Sequence, residues 1–104
     1  MPSQQIPALL DDTRPLLANE ITRALVSQGE RGLASQVHTL PIVEPCGCGD
    51  DFCISFFTGP RPDRRWADEG DFENIEVAVS TGYTILDLVD GIIRYVEVLY
   101  WWTD

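Results

Sequence analysis

The chain has 104 residues, a formal net charge of −10 at pH 7 and a hydrophobic fraction of 44%. This length supports one modest core, so we predict a single domain over residues 1–104. No apolar run approaches the roughly 18 residues that span a bilayer, and residues 1–5 carry no signal-peptide pattern, so we expect a cytoplasmic protein that does not bind membranes. The acidic field repels phosphate backbones, which excludes nucleic acid as a predicted partner, and it attracts basic proteins.

The first predicted element is an amphipathic helix at about residues 14–28. Its apolar stripe follows the 3.6-residue period of a helix and consists of Leu17, Ile21, Ala24, Leu25 and Gln28. We predict Thr13 as its N-cap, Pro15 in its first turn and Gly29 as its C-terminal stop. Shorter helical turns are predicted on either side, one carrying Ile6, Leu9 and Leu10 and the other covering residues 30–36.

From Val37 onward the pattern is that of strands. We predict an α+β fold in which the N-terminal helix packs on an antiparallel β-meander of about five strands. The predicted strands are 37–44, 52–58, 75–79, 83–89 and 92–102, and a polar loop covers 59–71. Pro41 and Pro45 confine the first strand to an edge of the sheet, because proline cannot donate a ladder hydrogen bond.

The dipeptide Asp90-Gly91 predicts a hairpin, because a type I′ turn needs two positive φ angles. A two-residue loop there fixes the register of the last two strands. The predicted pairs are Val89 with Ile92, Asp87 with Arg94, Leu86 with Tyr95 and Thr84 with Glu97. If Thr81-Gly82 is also a two-residue loop, Val77 lies opposite Leu86 and Glu76 opposite Asp87.

Alternation along these strands predicts which face of the sheet is buried. The predicted core face gathers Ile75, Val77, Val79, Leu86, Leu88, Ile93, Tyr95, Leu99 and Trp101. The opposite face carries a row of Glu76, Asp87 and Arg94 together with Ala78, Ile85, Val96, Val98, Tyr100 and Trp102. This second face is too apolar to be wet throughout, so we expect the first hairpin, a second subunit in a homodimer or another protein to cover it.

Three cysteines lie within eight residues, in the segment Cys46-Gly47-Cys48-Gly49-Asp50-Asp51-Phe52-Cys53. Thiolates at this density can hold zinc or form a redox pair, but cysteines in a glycine-rich hairpin turn can equally act as small hydrophobes. The structural interpretation is favoured, because the spacing matches neither a zinc ribbon nor C-x-x-C and a fourth ligand is missing. The single histidine, His38, lies roughly 26 Å away if the chain between is an extended strand. We therefore predict no cofactor and leave zinc at Cys46, Cys48 and Cys53, with Asp50 or Asp51 as the fourth ligand, as the alternative.

A second group of polar residues lies in the predicted loop, where Arg61, Arg64 and Arg65 precede Trp66. Guanidinium groups can bind a carboxylate or phosphate with two hydrogen bonds each, and Trp66 could add a stacking surface. Pairing of the arginines with acidic residues of the same loop is the favoured interpretation, the candidates being Asp63, Asp68, Glu69 and Asp71.

Glu97 is the remaining candidate, because the predicted register places its carboxylate on the core face. A buried carboxylate needs a partner or has a raised pKa, and a general base is one role for such a group. A hydrogen bond to Thr84 or to a helix N-terminus is the favoured interpretation.

Two segments, Cys46-Gly47-Cys48-Gly49 and Asp90-Gly91-Ile92-Ile93-Arg94-Tyr95-Val96-Glu97-Val98, resemble a pattern in small bacterial proteins of unknown function. In those proteins a C-G-C-G turn precedes a strand, and a hairpin of the form D-G-x-[IL]-x-x-[LV]-E-[VI] closes the chain. The match spans residues 40–102. The resemblance implies a stand-alone, β-rich bacterial domain, and it implies no activity, ligand or catalytic residue.

No nucleophile–base pair can be assembled around the single histidine, so we do not predict an enzyme. The leading hypothesis is a non-enzymatic interaction domain, immunity-like or regulatory, that binds a basic protein partner or itself. The first alternative is a metal- or thiol-dependent site at Cys46, Cys48 and Cys53. The second is a small ligand-binding domain or enzyme that uses Arg61, Arg64, Arg65 and Glu97.

Overall fold

The computed structural model describes residues 7–104 and shows the predicted α+β architecture. The helices are α1 (Leu10–Thr13), α2 (Pro15–Ser27) and α3 (Arg31–Val37), and a 3₁₀ turn covers Trp66–Asp68. The strands are β1 (Ala8–Leu9), β2 (Pro41–Ile42), β3 (Glu44–Pro45), β4 (Phe56–Phe57), β5 (Phe72–Val77), β6 (Tyr83–Val89) and β7 (Ile92–Leu99). The main sheet is antiparallel with five strands in the order β3-β4-β7-β6-β5, and β1 pairs separately with β2. Within residues 7–104, no helix is long and apolar enough to cross a bilayer.

Helix α2 confirms the predicted element at 14–28. Leu17, Ile21 and Leu25 lie along one side of it and are fully buried against the sheet. The helix ends where expected: Gly29 has a φ of +84°, and the following Glu30 N–H bonds to the Leu25 carbonyl at 2.8 Å. A glycine at this left-handed position costs no steric strain, and the bond satisfies one of the last open carbonyls of the helix.

The predicted cap of α2 is wrong. Thr13 is the last residue of α1, and its hydroxyl donates to the Leu9 carbonyl at 3.0 Å, so it is not available to the next helix. Arg14 occupies the N-cap position without a side-chain cap, while Pro15 stands in the first turn as predicted. The predicted turn before α2 is present as α1, although Ile6 lies outside the described residues.

The predicted strand at 37–44 is also wrong in its first half. Val37 is the buried last residue of α3, whose apolar side it shares with Leu33 and Ala34. Strands β2 and β3 follow as two short pieces, in which Pro41 and Pro45 occupy one position each. Proline lacks the N–H that a longer ladder needs, which explains why the segment forms short edge pairings instead of a continuous strand.

The last hairpin has the predicted turn. Asp90 and Gly91 both have positive φ angles, 53° and 78°, and Val89 pairs with Ile92. One pair further on, the register shifts between Asp87 and Leu88, where β7 contains an extra residue. Thr58 fixes this β-bulge, because its backbone N–H donates to the Arg94 carbonyl and its hydroxyl to the Ile93 carbonyl, at 3.1 and 2.7 Å.

The bulge overturns the rest of the predicted register and part of the predicted core. Asp87 pairs with Tyr95, Leu86 with Val96, Ile85 with Glu97 and Thr84 with Val98. A slip of one residue sends every following side chain to the other face of a strand. Val96 and Val98 are therefore in the core, and Glu97 is on the second face, away from Thr84. Among residues 7–104, the buried Thr84 hydroxyl has no hydrogen-bond partner.

The connection from β5 to β6 is longer than predicted, and Ile75, not Val77, lies opposite Leu86. This shift is two residues, so inward side chains stay inward. Glu76 lies opposite Ile85, and Arg94 is the extra residue of the bulge, so the predicted row of Glu76, Asp87 and Arg94 does not form. The observed core contains Leu10, Leu17, Ala18, Ile21, Leu25, Leu33, Ala34, Val37, Leu40, Phe56, Val77, Leu86, Leu88, Ile93, Val96, Val98 and Trp101.

Candidate functional site

Part of the second face of the sheet, around Phe57 and Tyr95, is covered by residues 59–71, which we call the arginine loop. The Phe57 ring packs against Tyr95 with centroids 4.6 Å apart and against Trp66 at 6.2 Å. The Arg61 guanidinium lies 4.7 Å from the centroid of Phe57. Sequence reasoning had expected the first hairpin, a second subunit or another protein in this position. The loop turns back over the face because it supplies both an aromatic side chain and a cation for Phe57.

Two of the loop arginines pair inside the loop, as predicted. Arg64 Nε lies 3.3 Å from Glu69 Oε1, and Arg65 Nε lies 3.6 Å from Asp68 Oδ2. These guanidinium groups are largely exposed, so each pair contributes little to stability. The predicted carboxylate- or phosphate-binding cluster would need all three arginines to point at one place, and these two are directed at their own neighbours.

Arg61 acts differently, because it holds the cysteine-rich segment. One terminal nitrogen donates to the Cys46 carbonyl at 2.8 Å and to the Pro45 carbonyl at 3.1 Å. Its Nε lies 3.6 Å from a carboxylate oxygen of Glu44. The planar, multiply donating guanidinium is suited to bridging several acceptors in this way. Arg61 therefore joins the arginine loop to the start of the cysteine turn.

The cysteine turn, defined as residues 46–53, is a compact loop between β3 and β4. Its two glycines, Gly47 and Gly49, both have φ of +78°, a conformation that other residues rarely adopt. The Cys46 N–H donates to the Ser55 carbonyl at 3.0 Å, which closes the turn at its base. The Cys53 N–H donates to the Asp50 carbonyl at 3.2 Å. This backbone geometry brings the three cysteines to one side of the loop.

The three sulfur atoms form a cluster. Cys46 Sγ lies 3.2 Å from Cys48 Sγ and 3.3 Å from Cys53 Sγ, and the three sulfurs lie within 4.8 Å of one another. All three cysteines are free, and the sulfur separations are far longer than the ~2.05 Å of a disulfide. Two of them, 3.2 and 3.3 Å, are shorter than the roughly 3.8 Å between two sulfurs that each lie ~2.3 Å from a tetrahedral zinc ion, so the sulfurs would move slightly apart around an ion.

The other predicted ligands are not part of this cluster. Among the described residues, the group that could hold a metal contains only the three cysteines. Asp50 and Asp51 are exposed residues of the same turn that stand outside it. His38, which follows α3, instead places Nδ1 3.3 Å from Asp11 Oδ1. The chain between His38 and the turn is not one extended strand, so the estimated 26 Å separation has no basis in the structure.

The thiols influence one another's ionisation. Burial raises the pKa of Cys53, but its hydrogen bonds with Ser55, Cys46 and Cys48 outweigh this effect and lower the pKa below its usual value. The Cys48 sulfur accepts a hydrogen bond from the Asp50 backbone, which lowers its pKa, but the neighbouring thiols of Cys46 and Cys53, together with burial, outweigh this and raise the pKa to about 11. Cys53 therefore ionises more readily than Cys48, because a thiolate at Cys53 accepts hydrogen bonds from its neighbours and its charge opposes a second one at Cys48.

A half-buried polar row continues from the sulfurs along the second face. Burial raises the pKa of Tyr95 to about 12; a Ser55 hydrogen bond opposes this, and the charges of Cys46, Cys53 and Glu97 add to it. Further along, burial and then the Glu97 charge raise the pKa of Asp87, while a hydrogen bond from Trp66 lowers it. These interactions show that Glu97, predicted to face the core, shares the second face with the site.

Sequence reasoning missed Ser55 and Tyr95 as neighbours of the cysteines, because the predicted register put Tyr95 in the core. The cause is the β-bulge, which the alternation of residues 92–102 does not predict. Sequence reasoning also treated the cysteine turn, the arginine loop and Glu97 as three separate features. The structure brings all three to the second face of one sheet.

No family model, no curated protein and no solved structure matches this chain. The resemblance to bacterial proteins with a C-G-C-G turn stays a prediction. The functional argument therefore depends on the geometry of the site.

Proposed function

We propose that this protein binds a thiophilic metal ion, zinc in the first instance, through Cys46, Cys48 and Cys53. The observation that supports the proposal is the convergence of three free sulfurs within 4.8 Å on one side of a short turn. Thiolates are soft ligands that bind zinc, and soft ions generally, in preference to magnesium or calcium. The proposal replaces the structural interpretation of the turn with the metal alternative.

The exposure of the sulfurs favours a metal over simple packing. A cysteine that acts as a small hydrophobe is buried, whereas Cys48 is exposed and Cys46 and Cys53 are only partly covered. Packing alone does not explain why the exposed thiol of Cys48 lies 3.2 Å from that of Cys46. The three thiols lose their protons when they bind a metal ion. The positive charge of the ion then offsets the mutual repulsion of the three thiolates.

The backbone of the turn is also held by contacts that do not involve a metal ion. Gly47 and Gly49 adopt their left-handed conformations without strain, and Arg61 holds the carbonyls of Pro45 and Cys46. A loop whose backbone is fixed by such contacts loses little conformational freedom when it binds an ion, so less of the binding free energy is lost. The contacts of Arg61 correspond to the outer-shell support that metal sites need.

The test is a zinc titration of reduced protein by calorimetry, with elemental analysis of the purified chain. We expect one ion per chain, with release of thiol protons. Changing Cys46, Cys48 and Cys53 to serine one at a time should weaken the affinity strongly in each case. Binding that survives all three substitutions, or no binding by the wild type, would overturn the proposal.

The matched control is the pair Asp50→Asn and Asp51→Asn in the same turn. Both side chains are exposed carboxylates outside the cluster, so their removal should leave the zinc stoichiometry and the zinc affinity unchanged. If either change costs as much affinity as loss of a cysteine, the carboxylate is a ligand and the site is not formed by sulfur alone.

The charge distribution supports a second candidate function, the interaction domain for a basic protein. The chain carries a net charge of −10, and the three arginines of the loop pair with Glu44, Glu69 and Asp68, so they do not neutralise the remaining carboxylates. A basic partner would be attracted at low ionic strength and released as salt screens the surface. Affinity capture from the source cell at low and high salt tests this: a basic protein retained only at low salt supports it, and retention that is independent of salt contradicts it.

A further inference from the structure

The three-sulfur cluster lacks one ligand. Zinc in sulfur-rich structural sites is four-coordinate, and Cys₃His is one of the usual ligand sets. Among residues 7–104, no histidine or carboxylate joins Cys46, Cys48 and Cys53. The open position also faces outward, since Cys48 is exposed and the space around Gly49 is empty within 4 Å of where its Cβ would be. The missing ligand can therefore come from another molecule.

His38, the single histidine of the chain, is arranged as metal-binding histidines are. Its side chain is 56% exposed, and its Nδ1 lies 3.3 Å from Asp11 Oδ1. Histidines that bind metals typically direct one ring nitrogen at a carboxylate, which orients the ring and leaves the other nitrogen to coordinate the ion. The other nitrogen, Nε2, has no hydrogen-bond partner in the described part of the chain.

The net charge of the zinc-loaded site also favours an imidazole ligand. Three thiolates around a divalent ion already leave a net negative charge, in a protein whose own charge is −10. A fourth thiolate or a carboxylate would add to this charge, whereas a neutral imidazole would not. An imidazole nitrogen is therefore the donor that best completes the cluster.

We propose that two copies of this chain are joined by zinc, with Cys46, Cys48 and Cys53 of one copy and His38 of the other as the ligands. The proposal rests on the metal-binding function above. The zinc ion loses bound water to the four ligands, and the thiol protons pass to solvent. A closed two-fold pair would contain two such sites, and a head-to-tail arrangement would form longer chains.

Sedimentation velocity at physiological salt tests the proposal. Reduced wild-type protein with a chelator should sediment as a monomer and should associate when zinc is added, while magnesium should have no effect. His38→Asn leaves the three sulfurs in place, so it should still bind zinc but remain a monomer. Because His38 is exposed, this change does not remove any buried contact.

A mixing experiment gives the sharper result. The triple variant Cys46→Ser, Cys48→Ser, Cys53→Ser can offer only its histidine, and His38→Asn can offer only its sulfurs. Neither should associate alone with zinc, but an equimolar mixture should form a pair with one zinc ion. Circular dichroism of each variant checks that it is folded, and the His38→Asn arm decides the question even if the triple variant is not.

The outcomes separate the two proposals. If wild-type protein binds no zinc, the metal-binding function fails. If it binds zinc and stays a monomer, or if His38→Asn associates as well as the wild type, the site exists but the bridge does not. Free imidazole should bind to the cadmium-loaded His38→Asn monomer and shift its sulfur-to-metal charge-transfer absorption. The absence of that shift would contradict an open position that accepts imidazole.

Discussion

The C-terminal meander of β5, β6 and β7 differs from the segment between Leu40 and Asp71 in the interactions that stabilise it. The meander consists of strands of six to eight residues, and one side of it is filled by the buried core. The other segment contains only two-residue strands and a 3₁₀ turn, and its order comes from side chains that bond to backbone carbonyls, such as Arg61 and Thr58. Burial of apolar area stabilises the first region, and specific polar contacts position the second.

This difference explains why the candidate site lies where it does. A regular ladder consumes the backbone groups and alternates its side chains, so neighbouring side chains along one strand point apart. The irregular turn can instead bring Cys46, Cys48 and Cys53 to one side, which a continuous strand would not allow. The sheet provides a rigid base, because Ser55 connects the turn to β7 through the backbone of Val98.

The largest effect is expected from a change in the core of the meander. Leu86 on β6 is completely buried, and Leu86→Ala should lower the free energy of unfolding by about 2–5 kcal/mol. Ile92→Ala in the same hairpin is the control, because Ile92 is 51% exposed and the change should cost no more than about 0.5 kcal/mol. Urea denaturation of metal-free protein measures both. Equal effects of the two changes would mean that the meander is not the stabilising region.

An intermediate effect is expected where the two regions meet. Arg61→Lys keeps the charge but loses the planar group that contacts Pro45 and Cys46, so the zinc affinity should fall roughly tenfold. The stability of the metal-free protein should change much less. Arg65→Lys is the matched control, because Arg65 belongs to the same loop, pairs with Asp68 alone among residues 7–104 and should leave zinc affinity unchanged. A loss of affinity common to both variants would point to a general charge effect and contradict the positioning role.

The smallest effect concerns the polar row on the second face. Burial and the Glu97 charge raise the pKa of Asp87 in the folded chain, so its ionised form is disfavoured there. Asp87→Asn should therefore stabilise the protein at pH 7, by less than about 1 kcal/mol because the group is half exposed. The advantage should vanish as the pH falls below the pKa of Asp87 in the unfolded chain, where wild-type Asp87 is neutral too. Urea denaturation at pH 7 and pH 3 measures it, and a variant that is less stable at pH 7 would contradict this account.

The regular elements could be predicted from the sequence because each depends on a local pattern. Helix α2 has a complete apolar stripe and a glycine stop, and the Asp90-Gly91 turn has the residues that its φ angles require. The register beyond the turn could not be predicted, because the β-bulge depends on Thr58, a residue distant in sequence that bonds to the Ile93 and Arg94 carbonyls. Because of the bulge, Val96 and Val98 face the core, and Tyr95 and Glu97 lie on the second face.

The candidate site was predicted in its members but not in its arrangement. The three cysteines stand out by their density, whereas their support by Arg61 and Ser55 depends on tertiary contacts that no spacing rule contains. His38 was set aside as too distant, because one molecule was assumed to supply every ligand. The structure gives no reason to keep that assumption.

The central claim, that the cysteine turn is a metal site formed by three sulfurs, is tested most directly by X-ray absorption spectroscopy of zinc-loaded protein at the zinc edge. The account predicts a first shell of three sulfur atoms at about 2.3 Å with one lighter atom at about 2.0–2.1 Å. In His38→Asn the three sulfurs should remain and the light-atom scattering typical of imidazole should be lost. A first shell that contains only oxygen or nitrogen would contradict the claim.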